Sequence, residues 1–115
     1  MTKRSDLKSG LERGRSLGLC EARKFWPHRC EGGLDLHEVV YKRNDVPPEK
    51  QGYLWDQHNC VLICHKVHME CGQREDFNAA AVGYLIDWHT RANMQTYCLM
   101  APFKVITPLE KFLLD

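Results

Sequence analysis

The residues able to do chemistry are concentrated between Leu34 and Gly72. Leu34, Asp35, Leu36 and His37 alternate apolar and polar, and they set a histidine and a carboxylate, His37 and Glu38, side by side before Val39, Val40 and Tyr41. A second apolar run, Cys60 to Ile63, is entered through Asn59 and left through Cys64 and His65, with His68 at helical spacing beyond them. Imidazole exchanges a proton or ligates a metal near neutral pH. Hydrolysis of a phosphodiester needs a base to activate water and a cation to stabilise charge on the phosphate and the leaving oxygen. His37 and His68 can supply both if the fold brings them together. Adjacent strand residues point to opposite faces, so His37 and Glu38 cannot do one job together unless a bulge or strand end intervenes.

The surrounding elements must position these groups. Strands near 34–41 and 59–63 are expected to form an antiparallel hairpin, with a helix over 65–71 packed across it. The connection from Lys42 to His58 holds Pro47-Pro48, which excludes continuous strand, and Tyr53, Leu54 and Trp55 are the side chains to dock it on the body. Gly72 suits the end of the helix. A second helix is expected from Asp76 to Ala92, because Phe77, Ala81, Tyr84, Leu85 and Trp88 make one apolar stripe. The apolar faces of Leu36, Val40, Val61 and Ile63 should meet that stripe. Thr107 followed by Pro108 reads as the cap and first residue of a short final helix. Residues 1–19, polar and interrupted by Gly10, Gly14 and Gly18, read as a basic arm or weak helix; residues 20–95 form the body, and residues 96–115 an extension packed on it.

Leu36-His37-Glu38, Asn59-Cys60-Val61-Leu62, and His68 followed by Gly72-Gln73 resemble the two strands and the terminal motif of the HNH endonucleases, most of all small phage-type members. The resemblance spans Cys20 to roughly Trp88. It implies an α+β fold with the ββα-metal HNH core, an antiparallel hairpin plus helix, to which the apolar stripe adds a C-terminal helix. It also implies a metal-dependent nuclease that nicks or cuts DNA with Mg2+, Mn2+, Ni2+ or Zn2+. In that family the first-strand pair divides its duties between metal ligand and general base, the helix histidine is a further ligand, and the asparagine holds the loop or touches the metal. His37, Glu38, His68 and Asn59 occupy those places. The family's pair has the base second, where this chain has Glu38. Strict alignment makes His37 the ligand and Glu38 the base. A shifted strand end makes His37 the base, with Glu38 and His68 around the metal, and the feeble basicity of an exposed glutamate favours this second assignment. Many members also hold a structural zinc, and Cys20, Cys30 and Cys64 match three of its four ligand places while Val67 stands at the fourth. His28, His65 or Cys71 would have to complete the site; the other reading is a set of buried thiols. Lys42 and Arg43 stand where members often carry a basic residue for DNA phosphate.

At 115 residues and 43% hydrophobic, the chain can bury one modest core as a single domain. A formal charge of +1 casts no strong vote for nucleic acid, although residues 1–24 carry a local excess of four positive charges. No apolar run is long enough to cross a membrane and no signal peptide is seen, so a soluble, intracellular protein is expected, in the host cytoplasm if phage-encoded. In a reducing compartment, six cysteines beside six histidines point to metal ligation before disulfides. Two rival readings are a non-catalytic, zinc-finger-like nucleic-acid-binding module and an accessory nuclease that works only with a DNA-packaging terminase. His37, Glu38 and His68 together argue against the first.

Overall fold

The computed structural model describes residues 3–103 and 106–115; positions 1–2 of the N-terminal arm and 104–105 of the C-terminal extension lie outside the described residues. The chain is α+β. Its elements run α1 (Arg4–Arg13), β1 (Leu34–Glu38), β2 (Cys60–Cys64), α2 (His65–Cys71), α3 (Glu75–His89), α4 (Arg91–Met100) and α5 (Pro108–Leu114). Short 3-10 helices occupy Glu21–Lys24, Arg43–Asp45 and Pro48–Leu54.

The two strands pair antiparallel, with Leu36 opposite Leu62 and His37 opposite Val61. The pleat sorts their side chains. Leu36, Cys60 and Leu62 pack with Leu11 of α1 on one face, whereas Val39, Val40, Val61 and Ile63 join the main core with Phe77, Ala81 and Leu85 of α3. The expected contact of Leu36 with the α3 stripe is therefore corrected: alternation puts Leu36 back to back with the residues that make it. A two-stranded ribbon leaves backbone groups unpaired along its outer edge. Here the segment from Arg15 to Glu21 covers that edge. The Arg15 guanidinium donates to the Cys60 carbonyl, the Leu62 N–H donates to Glu21 Oε1 (2.9 Å), and the Cys64 N–H donates to Cys20 Sγ (3.2 Å). Arg15 and Glu21 are ion-paired and buried, so Arg15 is withdrawn from the basic N-terminal surface.

Asn59 explains where the hairpin ends. Its Oδ1 accepts the N–H groups of Val40 (2.9 Å) and Tyr41 (2.8 Å), and its Nδ2 donates to the carbonyls of Tyr41 (3.1 Å) and Leu54 (3.0 Å). The buried amide takes up backbone groups that a longer ladder would use, so β1 stops at Glu38 and not at Tyr41. Leu54 is fully buried and Trp55 partly so, which docks the long connection as expected, although Tyr53 is largely outside.

α2 starts directly after β2 and contacts both strands. The single helix expected through Ala92 is two. Thr90 takes φ +81°, accepts the Asn93 N–H on Oγ1 (3.2 Å) and so ends α3 while capping α4. Trp88, next to the last residue of α3, is 55% exposed, so the stripe is core only from Phe77 to Leu85. Thr107 caps α5 through the Glu110 N–H (3.0 Å), and Tyr41 Oη donates to Glu110 Oε1 (2.6 Å), joining the C-terminal extension to the hairpin. Among the described residues no helix is long and apolar enough to cross a membrane.

Candidate functional site

Four donors converge at one end of the ribbon. Cys20 precedes the first 3-10 helix, His28 and Cys30 follow it in the loop, and Cys64 is the last residue of β2. Their ligand atoms all lie within 4.8 Å of one another. His28 Nε2 is 3.6 Å from Cys20 Sγ and 3.2 Å from Cys30 Sγ. A tetrahedron with Zn–S near 2.3 Å and Zn–N near 2.0 Å has N···S edges of about 3.5 Å. His28 Nδ1–H donates to the Trp26 carbonyl (2.7 Å), which leaves the lone pair on Nε2, the atom nearest the sulfurs. Desolvation and the neighbouring sulfurs of Cys20 and Cys64 push the Cys30 thiol up to about 11. At Cys64 burial acts in the same direction, but hydrogen bonds from the Val67 and Glu31 backbones, then from His28 and Cys30, outweigh it and lower the pKa. A cation among the sulfurs relieves their mutual repulsion. The cluster can hold a metal such as zinc, and of the three candidates for fourth ligand it is His28 that joins the cysteines. His65 is instead bonded to Asp35, and Cys71 is a buried thiol.

A second constellation lies on the α2 side of the hairpin. The rings of His37 and His68 meet edge to face with centroids 5.1 Å apart. His68 Nδ1 bonds Asp35 Oδ2 (2.9 Å), which leaves Nε2 free; His65 Nδ1 bonds the same oxygen (2.8 Å). Burial raises the Asp35 pKa, but these two imidazoles hold it below the usual value. His37 is 4% exposed, with Nε2 2.8 Å from Asn78 Oδ1 and 3.4 Å from Lys42 Nζ. Burial first, and the Lys42 charge second, draw its pKa down to about 3. A neutral imidazole of that kind is a competent metal ligand and a weak base. Burial also lowers Lys42 to about 8, and its ammonium donates to the Glu38 carbonyl.

Gly72 matters here for its size. Its φ of −58° is open to any residue, but a Cβ would lie 2.5 Å from the His68 carbonyl oxygen, 3.2 Å from His68 Cδ2 and 3.5 Å from His37 Cε1. Only a residue without a Cβ lets the end of α2 come this close to the His68 carbonyl and to the two imidazole rings.

Glu38 is elsewhere. It lies opposite Cys60 on the other face of the ribbon, 3.9 Å from the Arg43 guanidinium. Of His37, Glu38 and His68, the three residues proposed from the sequence around one ion, the fold brings together the two histidines. Alternation persists to the end of β1 and separates the carboxylate. Among the described residues, Cys20, His28, Cys30 and Cys64 are the one group of three or more such donors that converges within ligand range. Asn59 stands behind the site as a backbone anchor. Arg43 is exposed, and Lys42 is half-buried, with Nζ 3.4 Å from His37 Nε2 and donating to the Glu38 carbonyl.

Two residues of the site escaped the sequence reading. Asp35 had a signal, since two positions before His37 on a strand means the same face. Asn78 had none, because a polar residue beside the apolar stripe of a helix is ordinary. No family model, curated protein or solved structure matches the chain.

Proposed function

We propose that the chain is a metal-dependent endonuclease of the HNH type, hydrolysing DNA phosphodiester bonds. The observation that carries this reading is the juxtaposition of the His37 ring with an Asp35-backed His68, their centroids 5.1 Å apart. In this reading His37 and His68 hold a divalent ion, and Asp35 keeps the His68 ring turned with Nε2 outward. An ion bound there supplies positive charge to a phosphate oxygen and acidifies its bound water. The low basicity of His37 makes it a ligand, in the place that strict alignment with the family gives it. The cysteine cluster serves as a clamp, because Cys64 immediately precedes α2 and fixes the point from which His65 and His68 project.

A non-catalytic metal-stabilised binding module is the second reading, favoured by the convergence of four donors in the cysteine cluster where His37 and His68 bring together only two imidazoles. Purified protein incubated with supercoiled plasmid, with EDTA or with added Mg2+, Mn2+, Ni2+ or Zn2+, separates the two. The nuclease reading expects nicked or linear DNA that depends on the ion. Retention of plasmid in a gel shift without cleavage under any ion would establish the binding module instead.

A further inference from the structure

We infer that Asn78 of α3 is a positioning residue that fixes which nitrogen of His37 carries the proton, and thereby makes Nδ1 the ligating atom. The inference rests on the ion-binding role proposed for His37, but its first step does not. Asn78 Nδ2 lies 3.0 Å from the Gly72 carbonyl and 2.9 Å from the Arg74 carbonyl. Both are acceptors only, so the amide end of the side chain must face them. A flipped amide would set Oδ1 against two carbonyl oxygens with no proton between them. Oδ1 is therefore the atom 2.8 Å from His37 Nε2, and an acceptor there requires Nε2 to be the donor. Lys42 Nζ, 3.4 Å from Oδ1, is another donor aimed at the same oxygen and agrees with that orientation. The neutral ring then has its lone pair on Nδ1.

The pairing has a further consequence for the chain's layout. Asn78 reaches back to the carbonyls of Gly72 and Arg74, the turn that joins α2 to α3. One side chain thus ties the His37 ring on β1 to the end of the helix that carries His68. It keeps the two histidines in register while leaving their free nitrogens unengaged. Partners of this kind behind a metal-binding histidine typically change metal affinity or activity about 10- to 100-fold when removed.

The test is the tautomer itself, read from imidazole nitrogen shifts in ¹⁵N-histidine-labelled, zinc-loaded protein at neutral pH without other divalent ions. Wild type should show His37 protonated on Nε2. Asn78→Leu, similar in volume but unable to accept, should shift His37 to a mixture of tautomers and raise the Mn2+ concentration needed for cleavage about 10- to 100-fold. Asn78→Ala, which also removes the acceptor but places no branched apolar group against the Gly72 and Arg74 carbonyls, should show the same change of tautomer and preserves the test if the leucine variant does not fold. His37 protonated on Nδ1 in wild type, or an unchanged tautomer in folded Asn78→Leu, overturns the inference. If the tautomers behave as expected but wild type cleaves nothing, the positioning of His37 stands and the nuclease reading falls.

Discussion

The cysteine cluster and the His37–His68 pair lie on either side of the β2–α2 junction but differ in how many donors the chain commits. Cys20, His28, Cys30 and Cys64 come from a loop and a strand end and bring four donor atoms within 4.8 Å of one another. Where His37 meets His68 two imidazoles lie edge to face, the first held from behind by the Asn78 amide and the second by the Asp35 carboxylate. Structural metal sites are closed by protein ligands, whereas catalytic ones leave positions for water and substrate. On the proposed reading the difference divides labour along one hairpin, with the cysteine end holding a metal and the histidine end exchanging ligands on one.

The largest expected effect is at the closed end. Cys64→Ser should abolish stoichiometric zinc in elemental analysis and lower the unfolding free energy by several kcal/mol, because metal bound only by the native state is folding free energy. Full stability with zinc absent would break the distinction. At the open end, His68→Ala should cost about 10²- to 10⁴-fold in plasmid cleavage with the zinc content unchanged. Loss of zinc in that variant would show that the two sites are one cooperative unit. Asn59→Ala removes an acceptor from two buried N–H groups and should destabilise by about 2–4 kcal/mol in denaturant titrations without altering zinc.

A smaller effect follows from pH. His37 is held to about 3 in the folded chain, against about 6.5 when exposed, so the unfolded state binds more protons between those values. Its contribution to stability is complete above pH ~6.5 and is lost as pH falls towards 3, at up to about 1.4 kcal/mol per pH unit. His89, lowered to about 4 by burial, His58 and Arg15, adds its own share over part of that window. Denaturation of wild type and His37→Asn across this range should show a shallower slope in the variant, and equal slopes would deny the buried neutral imidazole. The smallest effect is expected from Glu38→Gln. Because Glu38 faces away from both histidines, cleavage and its ion requirement should change by less than about threefold, well short of the 10²-fold expected of a general base. A large loss with no rescue by metal would place Glu38 in the chemistry after all.

The hairpin, the helix after it and the pairing of His37 with His68 were legible in the sequence because each rests on a local pattern: alternation over Leu34 to His37, an apolar run at Cys60 to Ile63, and helical spacing after Cys64. The cap at Thr107 and the anchoring by Asn59 follow from side-chain hydrogen bonding that needs only near neighbours or a known junction. Three matters were decided by tertiary structure. Which of His28, His65 and Cys71 would join the cysteines depended on the path of the loop after the first 3-10 helix, and Asp35 had already engaged His65. Whether Glu38 could turn towards the metal depended on the strand keeping its pleat to the end, which the paired ladder with Cys60 enforces. Asn78 entered the site only because α3 packs against β1 across the Gly72 turn, a contact between residues 41 positions apart that no local periodicity encodes.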